Sequence, residues 1–194
     1  MSYQDKSYSP QLHMRRPDLE NLPPLKLPAG FTIRNHRDGE FTHWTAIIND
    51  SFGGERTEHD FQNSMGTDSA HHRDRIFYVF DDKEQPCATA SAYGHAPLGY
   101  VHYVGTRPKF AGKRLGYWVS LAVLYKFKEL GYTNAELDSD DFRIPALKIY
   151  LDLGFLPVIV HPNQEDRWRD VAAALKNPKI LDAWEYRLPT DATP

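Results

Sequence analysis

Cysteine is almost missing from this sequence: Cys87 is the only one in 194 residues. A single thiol excludes an intramolecular disulfide and a cysteine metal cluster, and it suits a reducing, cytoplasmic setting. No run of about 18 apolar residues occurs, so there is no candidate transmembrane helix and no expected membrane partner. The start, Met1 to Lys6, is polar and lacks the apolar core of a signal peptide. Positive charge is not in excess either. The formal net charge is −3, which gives none of the basic footprint that nucleic acid requires. The phosphate motifs G-x-x-x-x-G-K-[ST] and G-x-G-x-x-G are absent. So is the hydrolase elbow G-x-S-x-G, which leaves Ser91 and His95 without a nucleophile's setting.

Apolar residues make up 41% of the chain and aromatics 13%, enough for a packed domain of this length. Residues 1–29 carry Pro10, Pro17, Pro23, Pro24 and Pro28 and read as an extended arm, whose Leu19, Leu22, Leu25 and Leu27 are placed to pack on the body. From residue 30 onward the pattern is that of one domain. Phe31–Asn35 alternates like a strand, and Phe41, Trp44, Ile47 and Ile48 recur at helical spacing before Gly53-Gly54. Thr57 is a candidate cap for a short helix with Phe61 and Met65. Gly66 to Asp74 is polar and reads as a loop, where adjacent His71 and His72 suggest solvated side chains rather than a metal site. Residues 76–80, 87–93 and 100–104 read as consecutive strands. A long helix begins near Leu115 and stops at Gly131, and 135–137 reads as a strand. A helix with Pro145 in its first turn stops at Gly154, followed by a strand at 158–160 and a helix from Gln164 to Leu175. The stretch from Ile180 to Leu188 is ambiguous. The order predicts a mixed α/β fold, with antiparallel strands followed by strand–helix units.

The turn Pro108–Gly116 joins a strand to the long helix. A helix start carries unpaired N–H groups and a partial positive charge, a ready anion site. Gly112 and Gly116 allow close backbone approach, and Lys113 and Arg114 add charge. An ordinary basic helix start after a proline turn would look the same from spacing alone.

Gly112-Lys113-Arg114-Leu115-Gly116 resembles the acetyl-CoA loop of the GCN5-related N-acetyltransferases (GNAT), usually written [QR]-x-x-G-x-[GA]. Ala111 stands at the Gln/Arg position and Arg114 at the first glycine, while Gly116 agrees. A second segment, Ala146 to Phe155, matches that family's A-x-x-x-Y-x-x-x-G-F signature in full. The resemblance covers roughly residues 31–160. It implies a mostly antiparallel central sheet of six to seven strands flanked by helices, and an N-acetyltransferase domain over residues 30–194. It also implies acetyl-CoA as cosubstrate, held by Tyr103, Val104 and Thr106 of the preceding strand, by Ala111, Gly112, Lys113, Arg114, Leu115 and Gly116, and by Arg143 and Tyr150. Gly105 is the expected bulge residue of that strand. The implied reaction is direct transfer of an acetyl group to a primary amine, with Tyr150 as acid toward the thiolate and His102 as base. The alternative is a non-catalytic acyl-CoA-binding module on the same fold. Homodimers are common in the family.

The acceptor is less legible. Asp138, Asp140 and Asp141 could bind a cationic group or cap the following helix, and Asp141 reads as a cap. Glu55, Glu58, Asp60 and Asp68 give the presumed acceptor region acidic character, with Tyr93, Tyr100 and Tyr103 as aromatic walls. By charge complementarity this points to a cationic amine, without separating a small molecule from a peptide. The final strand of the family pattern is either supplied by Trp184 to Leu188 or missing.

Overall fold

A computed structural model describes residues 9–188. It shows eight strands and six α-helices among them. The chain divides into two compact units: Asp18–Ala135, and the segments on either side of it.

The unit 18–135 holds β2 (Phe31–Asn35), α1 (Phe41–Phe52), α2 (Glu58–Met65), α3 (Ser69–Arg75), β3 (Ile76–Asp81), β4 (Pro86–His95), β5 (Leu98–Thr106) and α4 (Leu115–Glu129). Its strands run in the order β2-β3-β4-β5, every neighbour antiparallel. β4 lies inside this order, with α1 and α4 both packed against it. From Cys87 to Ala92 it is buried at every position, so both faces are covered and only small side chains fit. Glycine serves the same close packing on β5. A Cβ at Gly105 would come 2.9 Å from Ile48 Cδ1 of α1, and one at Gly99 would lie 2.7 Å from the Phe127 ring of α4.

Gly66 to Asp74 is not the loop its polarity suggests. Asp68 caps α3, its carboxylate accepting the N–H groups of Ala70 at 2.9 Å and His71 at 3.3 Å. α3 has no apolar stripe to reveal it. It is anchored instead by His72, which is buried and donates Nε2–H toward the carbonyls of Met65 and Gly66. Thr57 does cap α2, in a reciprocal box with Asp60.

The other unit holds β1 (Leu12–Arg16), β6 (Asn134–Ser139, whose first two residues still belong to 18–135), α5 (Ile144–Asp152), β7 (Leu156–Ile159), α6 (Gln164–Ala174) and β8 (Glu185–Tyr186). The order is β6-β1-β7-β8, with β1 antiparallel to β7 and β8 parallel to it. Thus the proline-rich start contributes an internal strand, with Leu12 and Met14 fully buried. The start of α6 holds it there. Gln164 donates to Gln11 O at 2.7 Å and accepts from Val160 N at 2.8 Å, while Arg167 donates to Pro10 O at 2.8 Å. The ambiguous end resolves into a 3₁₀ turn at Pro178–Asp182 and the two-residue β8, so a short last strand is supplied by Glu185 and Tyr186. With β1 and β8 the strands number eight rather than six or seven.

The core under α1 and α2 contains Trp44, Ile47, Ile48, Phe61, Met65, Ile76, Tyr78 and Phe80. His36 is enclosed at its edge, stacked on Phe61 with centroids 5.5 Å apart and hydrogen-bonded to Tyr78 Oη at 3.1 Å. Burial, and then the nearby His72, push its pKa down to about 4, against opposing pulls from Glu40 and Asp38. A lowered folded-state pKa means that the unfolded chain binds the proton first. His36 therefore adds stability that is complete above pH 6.5 and is lost as the pH falls toward 4, on the order of 2–3 kcal/mol. Urea unfolding between pH 7 and 4 should show this loss, and His36→Gln should flatten it; an unchanged pH slope in that variant would refute the assignment.

Candidate active site

β5 carries the irregularity on which the site is built. Its register with β4 runs Ser91↔His102 and then Thr89↔Gly105, so Tyr103 and Val104 together oppose the single residue Ala90. This is a β-bulge. It lies not at Gly105, as expected, but at Tyr103, which adopts φ 47°. Gly105 stays in register, and its missing side chain makes room for Ile47 and Ile48. A bulky residue in the left-handed region is strained. Packing holds it: the Tyr103 ring meets Trp44 at 5.3 Å and Phe52 at 6.4 Å, and Ser64 Oγ donates to its hydroxyl at 3.3 Å.

Strand alternation would send His102 and Tyr103 to opposite faces. The bulge instead brings both onto α2, with rings 4.6 Å apart and both side chains bonded to Ser64. The His102 Nε2 lies 3.2 Å from the Ser64 carbonyl oxygen, which can only accept. Nε2 therefore carries the proton, and Nδ1 presents the lone pair. Burial lowers the pKa of His102, only partly opposed by the bond to Ser64, so the ring is a neutral base at neutral pH. Tyr93 and Tyr100 flank it at 5.0 and 6.0 Å. Ser64 was not foreseen. No local motif marks a serine whose backbone carbonyl selects a tautomer 38 residues away.

After Thr106 the chain makes a 3₁₀ turn at Pro108–Phe110 and enters α4. The base of this turn is tied down by Arg107, which donates to Asp50 at 2.6 Å and to Pro86 O at 3.2 Å, and by Lys109, which donates to Gln85 at 2.6 Å. Ala111 N–H is used within the turn, on Pro108 O. The next residues alternate in hand. Gly112 has φ 78° and Arg114 has φ 57°, both left-handed, on either side of Lys113. Such alternation turns consecutive N–H groups toward one concavity, an anion nest. Among the described residues, the N–H groups of Gly112, Lys113, Leu115 and Gly116 meet no backbone carbonyl. Leu115 and Gly116 are themselves buried. Orphan donors at a buried helix start fit a pyrophosphate. The Arg114 side chain turns back over the Tyr117 ring, its Cζ 4.5 Å from the centroid, so the arginine does not obstruct the donors.

Arg143 and Tyr150 lie in the other unit. Arg143 precedes α5 and donates Nε–H to Asp140 at 2.9 Å. Asp140 also accepts from Gln11 at 2.8 Å, and Asp138 pairs with the His13 ring at 2.7 Å. Asp141 does not cap α5. Both its oxygens are held at 2.6 Å by the guanidinium of Arg167, a buried bidentate pair. Tyr150 is buried edge-on to Phe155, with centroids 6.2 Å apart, and burial raises its pKa well above that of a free phenol. It therefore keeps its proton at any physiological pH.

Comparison with known proteins converges on one family. The model of the Acetyltransferase (GNAT) family matches residues 41–155. The mycothiol acetyltransferase of Acidothermus cellulolyticus is 29% identical over 168 residues, spanning 74% of this chain and 50% of that protein. That of Thermomonospora curvata is 28% identical over 154 residues, with the same coverage. The chain thus spans about half the length of the curated relatives it matches. Among solved structures, a GCN5-related N-acetyltransferase from Sphaerobacter thermophilus shares the fold with a TM-score of 0.65 at 18% identity, over 77% of this chain and 50% of that one. With more than half of its residues inside the family match and both sequence motifs on the elements that match them, the chain belongs to the GNAT acetyltransferase family.

Proposed function

We propose that this protein transfers an acetyl group from acetyl-CoA to a primary amine. The observation that carries this reading is the nest before α4, in which left-handed Gly112 and Arg114 leave orphan N–H groups beside Lys113. In the proposal Gly112 to Gly116 receive the pyrophosphate through the backbone, with Lys113 adding charge and Ala111 closing the turn. The bulged strand offers backbone groups of Tyr103, Val104 and Thr106 to the pantetheine arm. Arg143 is assigned a cofactor contact from α5. Acetyl-CoA supplies an activated thioester, so the protein has only to position the amine and manage protons.

The residues fit those proton tasks. His102 takes the proton from the attacking amine at Nδ1, because Nε2–H is engaged by Ser64. Burial keeps its pKa below 6.5, so the base form is present at neutral pH. Tyr150, kept protonated by burial, gives a proton to the departing thiolate. We assign the protein a cytoplasmic setting. This is supported by cysteine usage, a single buried free thiol at Cys87.

Binding is tested without turnover. Acetyl-CoA at about 100 times its Kd should stabilise the fold by about 2.7 kcal/mol, read as a rise in melting temperature; no shift at millimolar cofactor refutes the proposal. With an accepted amine, Tyr150→Phe should lower kcat by about 10²-fold or more. The acid limb that His102 contributes to the kcat of the parent should lie below pH 6.5, and His102→Asn should remove that limb together with about 10² of the rate. If the nest acts through its backbone, Arg114→Gly keeps acetyl-CoA binding, whereas Arg114→Val is less stable to urea than Arg114→Gly by about 1–2 kcal/mol. Loss of binding in Arg114→Gly would assign the site to the side chain instead.

A further inference from the structure

Two of the four carboxylates that gave the acceptor region its acidic character, Asp60 and Asp68, turn out to be structural. Asp60 closes the capping box of α2, bonding Thr57 N–H at 2.8 Å and Thr57 Oγ1 at 2.9 Å. Asp68 caps α3. What α3 brings toward the end of the β4–β5 hairpin is of the opposite kind. A cleft of about 450 Å³ opens there, lined by His71 and Arg75 of α3, Tyr93, Gly94 and His95 of β4, and Tyr132 after α4. That volume suits a small organic molecule. Its lining contains one guanidinium, two imidazoles and two phenols, and no carboxylate.

The cleft is held in shape by its own polar groups. Tyr132 Oη donates to Gly94 O at 2.9 Å and accepts from Arg75 NH1 at 3.0 Å. Arg75 Nε lies 3.7 Å from Asp74, but Lys126 Nζ is closer to that carboxylate, at 2.9 Å. The NH2 group of Arg75 meets no acceptor among the described residues. A guanidinium anchored through NH1, whose NH2 is unengaged among the described residues, suits an incoming anion. The cleft also adjoins the proposed base. Tyr93 touches His71 on one side, with centroids 5.4 Å apart, and His102 on the other, at 5.0 Å.

We infer that the cleft between α3 and the β4–β5 hairpin binds a carboxylate or phosphate group of the acceptor, so that the substrate is an amine carrying its own anion. Arg75 binds the anion and His71 and His95 flank it, while the amine lies beyond Tyr93 toward His102. This inference rests on the acetyl-transfer reading. His71 reports on it independently: burial and then the charge of Arg75 lower its pKa, against opposing pulls from Asp68 and Asp74, and an anion in the cleft would raise it.

The experiment compares matched amines by thiol release: β-alanine against β-alaninamide, and phosphoethanolamine against ethanolamine. The anionic member of at least one pair should have a KM about 10-fold lower than its neutral partner, and the better pair separates carboxylate from phosphate. Arg75→Gln should raise that KM about 10-fold and erase the preference for the anionic member over its neutral partner. Equal use of both members, or an equal effect of Arg75→Gln on both, overturns the inference. Arg75→Lys, which keeps the charge, guards against a variant that fails to fold and should retain part of the preference; its use of both members alike also overturns the inference. Titration with inorganic phosphate, followed through the His71 ring resonances, reads the cleft without turnover. A shift at millimolar phosphate that is lost in Arg75→Gln supports anion binding, and no shift refutes it. Melting with acetyl-CoA in parallel distinguishes a failure of this inference from a failure of acetyl transfer itself.

Discussion

A tyrosine at φ 47° in mid-strand costs on the order of 1–3 kcal/mol, and the ring contacts of Tyr103 with Trp44 and Phe52 are what hold it there. The rest of the proposed chemistry depends on that bulge. Without it His102 and Tyr103 would face opposite sides of the sheet, and only one could reach Ser64. With it, the imidazole has its Nε2 occupied, its tautomer determined and its pKa lowered by burial. The strain at a single residue thus fixes the orientation of the imidazole. The same core that holds the tyrosine, built on Trp44, Phe61 and Tyr78, also encloses His36, so proton chemistry and acid stability share one set of packing contacts.

The loop before α4 forms its nest by a different route. The family's usual glycine is replaced by Arg114, yet the backbone still takes the left-handed conformation that glycine would favour. The side chain departs over Tyr117 and the amide donors remain. Side-chain identity at such a position is therefore a poor guide to whether the anion site is intact. Backbone hand decides it, because the ligand would meet N–H groups rather than side chains. Asp141 shows the converse: an aspartate suited to a helix cap is taken by the buried guanidinium of Arg167.

Charge counted along the chain says little about a site for a related reason. Glu55, Glu58, Asp60 and Asp68 lie close in sequence and suggest an acidic acceptor pocket. Two of them are held by orphan N–H groups at helix starts, a demand that exists only once α2 and α3 have formed. The basic cleft beside them is assembled from α3, β4 and the residue after Gly131, which no window of the sequence brings together.

The sequence by itself determined the elements whose signals are local. Helical spacing marked α1 and α4, glycine stops marked the ends of α4 and α5, and the Ala146–Phe155 signature with the turn at Gly112–Gly116 was enough to indicate the family. Residues 87–93 read as a strand, while only the structure shows Cys87 to Ala92 covered on both faces. Only the tertiary structure decided that the proline-rich start supplies β1 between β6 and β7, because the Gln164 and Arg167 contacts that seat it join residues more than 150 apart. Only it decided that the bulge falls on Tyr103 and not Gly105, because the glycine is required where α1 presses Ile48 against β5. Local propensity specifies what each segment can form; the competition for space and hydrogen bonds between distant segments selects the residue that bears the strain.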